Sequence, residues 1–204
     1  MTNEDKIALF DERLYYIECK NGQYYLCTSR EDGSDIRQIR NIPCGYGVSV
    51  NSKGIILYPS AVGEHKSSLK ENEYGYVLWL DFSGNLKKKY NIIPKLATWT
   101  DFISIDLYVY GQMIFWSIYE NDEMGGSGCR SKAYYMDLEV GETYQIYEGR
   151  KNGRRVSDIY GTEKKIVFSL KNHGSGDKIW YLYDIYSGIT ESMDNQNQNQ
   201  KEKG

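Results

Sequence analysis

The chain has 204 residues and a formal net charge of −3, which is enough length for one sizeable core or two small ones. A near-neutral charge without a clustered basic face lacks the electrostatic footprint of a nucleic-acid-binding protein. No segment approaches the ~20 apolar residues of a membrane-spanning helix, and the polar residues 1–10 lack the apolar core of a signal peptide. We expect a cytoplasmic protein with no membrane span and no nucleic-acid partner; if the chain is a fragment, its localisation stays open.

The composition favours β-structure. Tyrosine accounts for 20 residues and proline for only 3. Tyrosine suits half-buried sheet faces, because its ring is apolar and its hydroxyl is polar. No amphipathic helical pattern extends beyond about three turns. The sequence therefore predicts an all-β fold.

Residues 14–39 have the pattern of a three-stranded antiparallel meander. Asn21-Gly22 is a strong hairpin signal, because a two-residue type I′ turn needs positive φ at both central positions. This turn places Cys19 opposite Tyr24, which argues against a disulfide within the hairpin. Asp32-Gly33 then reverses the chain again. A ribbon this small is not stable alone, so a neighbour must cover its faces.

Two series of glycine turns indicate that this unit repeats. In the first series the glycines lie 51, 57 and 47 residues apart, and a short oxygen-bearing side chain precedes each, where it can accept hydrogen bonds from the turn. The glycines are Gly33, Gly84, Gly141 and Gly188, and the preceding residues are Ser29, Asp81, Asp137 and Asp184. The second series consists of Gly54, Gly111 and Gly161. These glycines lie 30, 30 and 27 residues before the last three glycines of the first series.

Each repeat is predicted to contain four strands, named A to D, with glycine turns between A and B and between C and D. The predicted repeats are residues 6–40, 46–92, 101–148 and 154–193. Four-stranded meanders at this spacing are typical of β-propeller blades, whose faces are buried against neighbouring blades. Residues 1–193 are thus predicted to form a propeller-like domain, and the polar, low-complexity residues 194–204 a disordered tail.

Residues 14–39 combine an aromatic pair, a short turn, an aromatic-rich strand and a D-G-S turn followed by Ile36. This pattern resembles the blades of a bacterial family of uncharacterised proteins, the DUF5050 type, which are described as similar to low-density-lipoprotein-receptor-related and TolB-like six-bladed propellers. The chain lacks a Y-W-T-D motif. The resemblance implies an array of blades and no catalytic residues.

The length of the chain leaves closure of the array open. Six blades at this period need about 300 residues, whereas four fit the chain. The alternatives are a four-bladed disc and an incomplete part of a larger ring that other blades complete. An unclosed array exposes strand edges, which favours self-association.

Propellers bind ligands on the face formed by the D–A and B–C connections, and binding residues concentrate on such loops. The predicted connections are residues 40–46, 60–75, 91–101, 120–132, 149–155 and 171–177. The ligand-binding residues expected on this face are Tyr46, Trp99, Asp101, Arg154, Arg155 and His173. Trp99 is a candidate stacking platform or a plug between blades. Arg154 and Arg155 belong to the densest basic patch, which either contacts an acidic partner or is simply solvated.

No motif predicts a metal, a cofactor or a catalytic residue. His65 and His173 lack a third ligand at metal-site spacing, and the cysteines at 19, 27, 44 and 129 form no C-x-x-C pair. Cys129 beside Arg130 has a setting that lowers a thiol pKa, although an incidental loop thiol is the simpler interpretation. We expect reduced thiols, no metal and no cofactor.

The repeat and the lack of a catalytic motif favour a non-enzymatic propeller scaffold that binds a protein, peptide or glycan on its loop face. One alternative is a hydrolase or lyase acting on a polysaccharide or peptide, in which Asp101 and Asp158 converge from different blades. Another alternative is a truncated propeller fragment without activity of its own.

Overall fold

The structure is a computed structural model that describes residues 7–43, 45–59, 76–92, 102–121, 129–150, 154–172 and 175–193. Within these ranges the chain forms sixteen strands in four antiparallel sheets, each of four strands in chain order. This arrangement confirms the predicted repeat of four-stranded meanders.

The strand bounds follow the two glycine series closely. The first sheet contains β1 (Ile7–Phe10), β2 (Arg13–Lys20), β3 (Gln23–Arg30) and β4 (Arg37–Ile42). The second contains β5 (Tyr46–Asn51), β6 (Gly54–Pro59), β7 (Tyr76–Leu80) and β8 (Leu86–Asn91). The third contains β9 (Phe102–Tyr110), β10 (Met113–Asn121), β11 (Cys129–Asp137) and β12 (Thr143–Arg150). The fourth contains β13 (Arg154–Gly161), β14 (Lys165–Asn172), β15 (Lys178–Asp184) and β16 (Thr190–Ser192).

The chain divides into two compact units, residues 1–95 and residues 96–204, and each unit holds two sheets. In the first unit the apolar faces of sheets one and two form one core. The Arg40 guanidinium also joins these sheets, since Nη1 donates a hydrogen bond to the Gly84 carbonyl at 3.0 Å. The buried core residues are Tyr15, Leu26, Ile42, Tyr46, Val48, Ile55, Leu57 and Leu80.

The second unit buries the facing sides of sheets three and four in the same way, with more aromatic rings. Phe168 stacks on Tyr181 with 5.4 Å between ring centroids, and Tyr135 stacks on Tyr144 at 4.9 Å. The buried core residues are Met113, Phe115, Ala133, Tyr135, Val156, Ile159, Ile166, Phe168 and Leu170.

The first hairpin has the predicted register. Cys19 lies opposite Tyr24, and Asn21 and Gly22 have φ values of 53° and 78°, as a type I′ turn requires. Cys19 and Cys27 are free thiols.

Carboxylates hold the C–D turns, as predicted for three of the four repeats. Asp81 Oδ1 accepts hydrogen bonds from the Ser83 and Asn85 backbone N–H groups. Asp184 Oδ1 accepts from Tyr186 and Ser187 in the same way. These bonds satisfy N–H groups that the strand ladder leaves unpaired.

The role predicted for Ser29 in the first repeat is wrong. The Ser29 hydroxyl is buried and donates to the Arg30 carbonyl at 3.0 Å, and no N–H of the described turn donates to it. The turn closes one residue later, because the Gly33 N–H donates to the Arg30 carbonyl. Asp32 performs the capping task instead, since its Oδ1 accepts the Ser34 N–H at 2.8 Å.

The predicted connections of the second unit are too long. β10 continues to Asn121 and β11 starts at Cys129, so Cys129 belongs to a strand and not to a loop. Arg154 and Arg155 are likewise the first two residues of β13. The polar composition of these strand ends resembles that of a loop, but their backbone groups pair across the sheet regardless of side chain.

Candidate functional site

The candidate site lies where edge strands of the third and fourth sheets meet. β9 is an edge strand of the third sheet and β13 an edge strand of the fourth. Tyr108 on β9 and Tyr160 on β13 make a T-shaped contact with 5.3 Å between ring centroids. The Val156 backbone N–H donates to the buried Ser131 Oγ at 2.8 Å. These contacts bring the polar residues of β9 and β13 into one region.

A β-bulge in β13 orients the polar side chains of that strand. Val156 lies opposite Leu170 and Asp158 lies opposite Ser169, which leaves Ser157 without a partner residue on β14. Adjacent residues of a regular strand point to opposite faces, whereas a bulge re-aims a side chain. Ser157 Oγ accordingly donates a hydrogen bond to Oδ2 of its own neighbour, Asp158, at 2.5 Å.

Asp158 is the centre of a hydrogen-bonded network. Its Oδ2 accepts a second hydrogen bond from the Ser169 hydroxyl, which is fully buried, and a third from Lys178 Nζ at 2.8 Å. The Asp158 side chain is 21% exposed and that of Lys178 is 39% exposed. Because three donors converge on one oxygen, the carboxylate is held in a single orientation.

The two aspartates of this region have pKa shifts of opposite direction. Partial burial raises the pKa of Asp158, but hydrogen bonds from Lys178, Ser157 and Ser169 outweigh it, so the net pKa lies below the ordinary value. For Asp106 on β9, burial among surrounding protein atoms raises the pKa, the Arg155 charge opposes this, and the Asp158 charge adds to it. Asp106 keeps access to solvent despite that dense surrounding.

The charges of Arg155 and Asp158 both act on Asp106, so these three residues of two sheets form a candidate electrostatic site. Asp158 is a fixed anion, while Asp106 is a carboxyl that takes up a proton more readily than usual. The half-buried Arg155 forms no hydrogen bond or close ion pair with any residue that the structure describes. Such a set offers a guanidinium, an anion and a carboxyl of raised pKa to a bound group.

The site lies in the predicted loop-facing half of the fourth sheet. Arg154 starts β13 and Lys178 starts β15, and Arg154 lies opposite Asn172 at the end of β14. Arg154 and Asn172 fall within the predicted connections 149–155 and 171–177, and Lys178 directly follows the second; both connections were expected on the ligand face. Arg155 was predicted on a connection and lies instead in β13, directly after Arg154. Trp99, Asp101, His65 and His173 lie outside the described residues.

Tyr46 has a different environment from the one predicted. Its side chain belongs to the core of the first unit and is only 2% exposed. The Tyr46 hydroxyl donates to the Tyr76 carbonyl at 3.0 Å. This placement leaves the ring almost no surface for a ligand, so we assign Tyr46 a packing role.

The sequence reasoning missed Asp106 and Lys178. Asp106 lies in the middle of an otherwise apolar strand pattern, Ile105-Asp106-Leu107, and an acidic residue at such a position is a usable signal. Lys178 carries no local signal, because its partner Asp158 is 20 residues away in sequence.

The described ranges contain no group of three or more His, Cys, Asp and Glu side chains able to hold a metal ion. Over the same ranges, no helix is long and apolar enough to cross a membrane.

Comparison with known proteins shows the fold alone. No protein-family model matches the sequence, and no curated protein matches it. Several solved structures do match. The β-propeller domain of the Trilobed protease from Pyrococcus furiosus, described as having an open velcro topology, gives a TM-score of 0.57 at 10% identity, over 89% of this chain and 54% of that one.

Two further matches are enzymes that contain comparable sheets. A prolyl endopeptidase gives a TM-score of 0.61 at 11% identity, over 92% of this chain and 28% of that one. An oligogalacturonate lyase in complex with manganese gives 0.50 at 10% identity, over 90% and 50% of the two chains. The chain thus spans about half or less of the length of these structures. Its four four-stranded antiparallel sheets resemble the blades of β-propellers.

Proposed function

We propose that this chain is a non-catalytic, propeller-type binding module that takes a protein, peptide or glycan ligand at the loop-facing end of its second unit. The observation that supports the proposal is the cluster of Asp106, Arg155 and Asp158, drawn from two sheets by β9 and β13. Charged and polar groups held on a rigid scaffold are typical of recognition sites.

Arg155 is the residue expected to contact the ligand most directly. A guanidinium binds carboxylate and phosphate groups through two parallel hydrogen bonds. Arg155 is half-buried and starts a strand at the proposed face. We therefore propose that the ligand carries acidic groups, as an acidic peptide or an acidic glycan does.

Asp158 has a positioning role in this proposal. Its Oδ2 already accepts hydrogen bonds from Ser157, Ser169 and Lys178. The network fixes the bulged segment that follows Arg155, and a preorganised site binds with a smaller entropic cost.

The test uses the full chain and two probes, a hexaglutamate peptide and an oligogalacturonate, in titrations at low and moderate salt. The proposal is supported if the wild type binds either probe and the affinity falls about tenfold in Arg155→Gln, because one charge-assisted bidentate contact is lost. Arg37→Gln is the matched control, because Arg37 is an exposed arginine of the first unit that pairs with Asp35. Equal binding by the wild type and Arg155→Gln contradicts the proposed site.

A hydrolase or lyase is the second candidate function, and the opposite pKa directions of Asp106 and Asp158 favour it. Glycoside-cleaving enzymes commonly use one carboxyl that keeps its proton and one that stays ionised. In this version Asp106 is the general acid, which replaces the Asp101 predicted from the sequence. The test is cleavage of an oligogalacturonate or a proline-containing peptide by the full chain. If the chain cleaves either probe and Asp106→Asn abolishes the cleavage, the enzyme is supported and the non-catalytic module is contradicted.

The finer family relationship, to the DUF5050-type and TolB-like propellers, is also a proposal, supported by the D-G-S turn pattern of the first sheet.

Whether the four sheets close alone is tested by light scattering of the purified chain. A monomer supports independent closure, and pairing or aggregation supports an open array or a fragment that needs other blades.

A further inference from the structure

A cleft of about 500 Å³ lies at the opposite end of the second unit from the site above. It is lined by residues from the turn ends of sheets three and four. Met113 and Tyr135 are buried and form its apolar floor. Tyr144 and Tyr186 are exposed at its walls, and the carboxylates of Asp137 and Glu163 also line it. Its volume is in the range of cavities that bind small groups.

The aromatic wall at Tyr144 is held rigidly. Its ring stacks on Tyr135 with 4.9 Å between centroids and an interplanar angle of 16°. Its hydroxyl donates to Glu142 Oε2 at 2.5 Å. A ring fixed by stacking on one side and by a hydrogen bond at its tip loses little entropy when a ligand binds.

Tyr186 presents the most exposed large aromatic surface of the cleft, with 78% of the residue accessible. The backbone beneath it is ordered by two hydrogen bonds. The Tyr186 N–H donates to Asp184 Oδ1, and the Ile185 N–H donates to the Lys164 carbonyl, each at 3.0 Å. The turn therefore holds an aromatic ring beside the cleft without burying it.

Two carboxylates supply negative charge at the cleft. Asp137 Oδ1 accepts the Glu139 backbone N–H at 2.7 Å. Neither Asp137 nor Glu163 forms an ion pair with a lysine or arginine in the part of the chain that the structure describes. An aromatic cleft lined by carboxylates is electrostatically complementary to an organic cation.

We propose that this cleft binds an ammonium or guanidinium group carried on an aliphatic stem, as in a lysine or arginine side chain of a peptide partner. The stem packs on Met113 and Tyr135, while the cationic head lies among Tyr186, Asp137 and Glu163. Long basic side chains commonly bury an apolar stem and keep a charged head near polar groups. This inference concerns a cationic ligand and is independent of the acidic ligand proposed for the other end.

The test is an NMR titration of the 15N-labelled full chain with n-butylammonium, and with n-butanol as its neutral isostere. We expect butylammonium to shift the amides of Tyr186 and Gly141 with millimolar affinity and butanol to bind at least about threefold more weakly. N-acetyl-lysine amide and putrescine distinguish a peptide side chain from a free polyamine. Tighter binding of the lysine derivative supports the peptide, and tighter binding of putrescine overturns that source.

Variants separate the electrostatic and aromatic contributions. Glu163→Gln and Tyr186→Leu should each weaken butylammonium binding about two- to fivefold, whereas Tyr186→Phe should retain it because the aromatic face remains. Glu148→Gln is the matched control, since Glu148 is an exposed glutamate of β12 that does not line the cleft. The proposal is overturned if butanol binds as well as butylammonium, or if Glu163→Gln weakens binding no more than Glu148→Gln does.

Discussion

The two units of the chain are built from the same four-stranded module but differ in the first strand of their second sheet. In the second sheet, β5 contains Val48-Ser49-Val50 and pairs with β6 without a register shift. In the fourth sheet, β13 contains Val156-Ser157-Asp158 and carries a bulge at the serine. Both first strands contribute apolar residues to a core, such as Val48 and Val156, and β13 in addition orients a charged network. One acidic residue and one extra residue in the register of β13 accompany this difference.

The units also differ in how their C–D turns close. In the first unit the glycine N–H donates to the carbonyl three residues earlier, as Gly84 does to Asp81. In the second unit it donates four residues earlier, as Gly188 does to Asp184. The longer turn of the fourth sheet places Ile185 and Tyr186 at the aromatic cleft. Both candidate sites therefore lie in the second unit, where the module departs from its simplest form.

The largest effect is expected for Gly54→Ala in the first unit. An added Cβ would lie 2.1 Å from the Leu80 carbonyl oxygen, and φ at Gly54 is +144°, where residues with a side chain are strained. We expect a loss of about 3 kcal/mol or more in the free energy of unfolding, measured by urea denaturation. Gly22→Ala is the control, because it has positive φ without any neighbour within 4 Å and should lose only about 1 kcal/mol. Equal losses would show that the collision with Leu80 is not real.

Gly161→Ala makes the matching change in the second unit and should cost less. The added Cβ would lie 2.4 Å from the Phe115 ring, a side chain that can shift, and φ does not require glycine there. We expect a loss of about 1–3 kcal/mol from overpacking. In a double-mutant cycle, Phe115→Leu should recover part of that loss, because it removes the colliding ring edge. If the stability losses of Gly161→Ala and Phe115→Leu were strictly additive, a collision between the added Cβ and the Phe115 ring would be ruled out.

Asp158→Asn tests the charged network and should reduce stability by about 1 kcal/mol at neutral pH. The folded-state pKa of Asp158 lies below its unfolded value of about 3.9. The contribution of the ionised carboxylate to the free energy of unfolding is therefore fully present above the unfolded pKa and is lost as pH falls through the folded pKa. Denaturation curves of wild type and variant should therefore converge in acid. A difference that persists unchanged at low pH would assign the loss to packing instead.

Asp106→Asn should have the smallest effect and the opposite sign. The folded-state pKa of Asp106 is raised, so its ionisation destabilises the fold as pH rises through that pKa. Replacing it with the neutral amide should stabilise the protein by about 0.5 kcal/mol at neutral pH, since solvent screens much of the charge. A thermal melt provides the measurement. Destabilisation at neutral pH would mean that the carboxylate makes a favourable contact, and the electrostatic description of the site would then need revision.

The sequence predicted the sheets far better than the site. Turn dipeptides such as Asn21-Gly22 and the glycine series are local signals, and local signals specify meanders of adjacent strands. The influence of Asp158 on the pKa of Asp106 depends on how two sheets pack, which no local pattern records. The burial of Tyr46 is a similar case, since a tyrosine at a strand start is equally compatible with a core and with a surface.

The most direct test of the central claim is a side-chain 13C NMR titration of Asp106 and Asp158. The claim is that β9 and β13 bring these carboxyls and Arg155 into one site. It predicts that Asp106 titrates above, and Asp158 below, the ordinary aspartate pKa of about 3.9, and that Asp158→Asn lowers the pKa of Asp106. Two carboxyls that both titrate near 3.9, with Asp106 unmoved by Asp158→Asn, would contradict it.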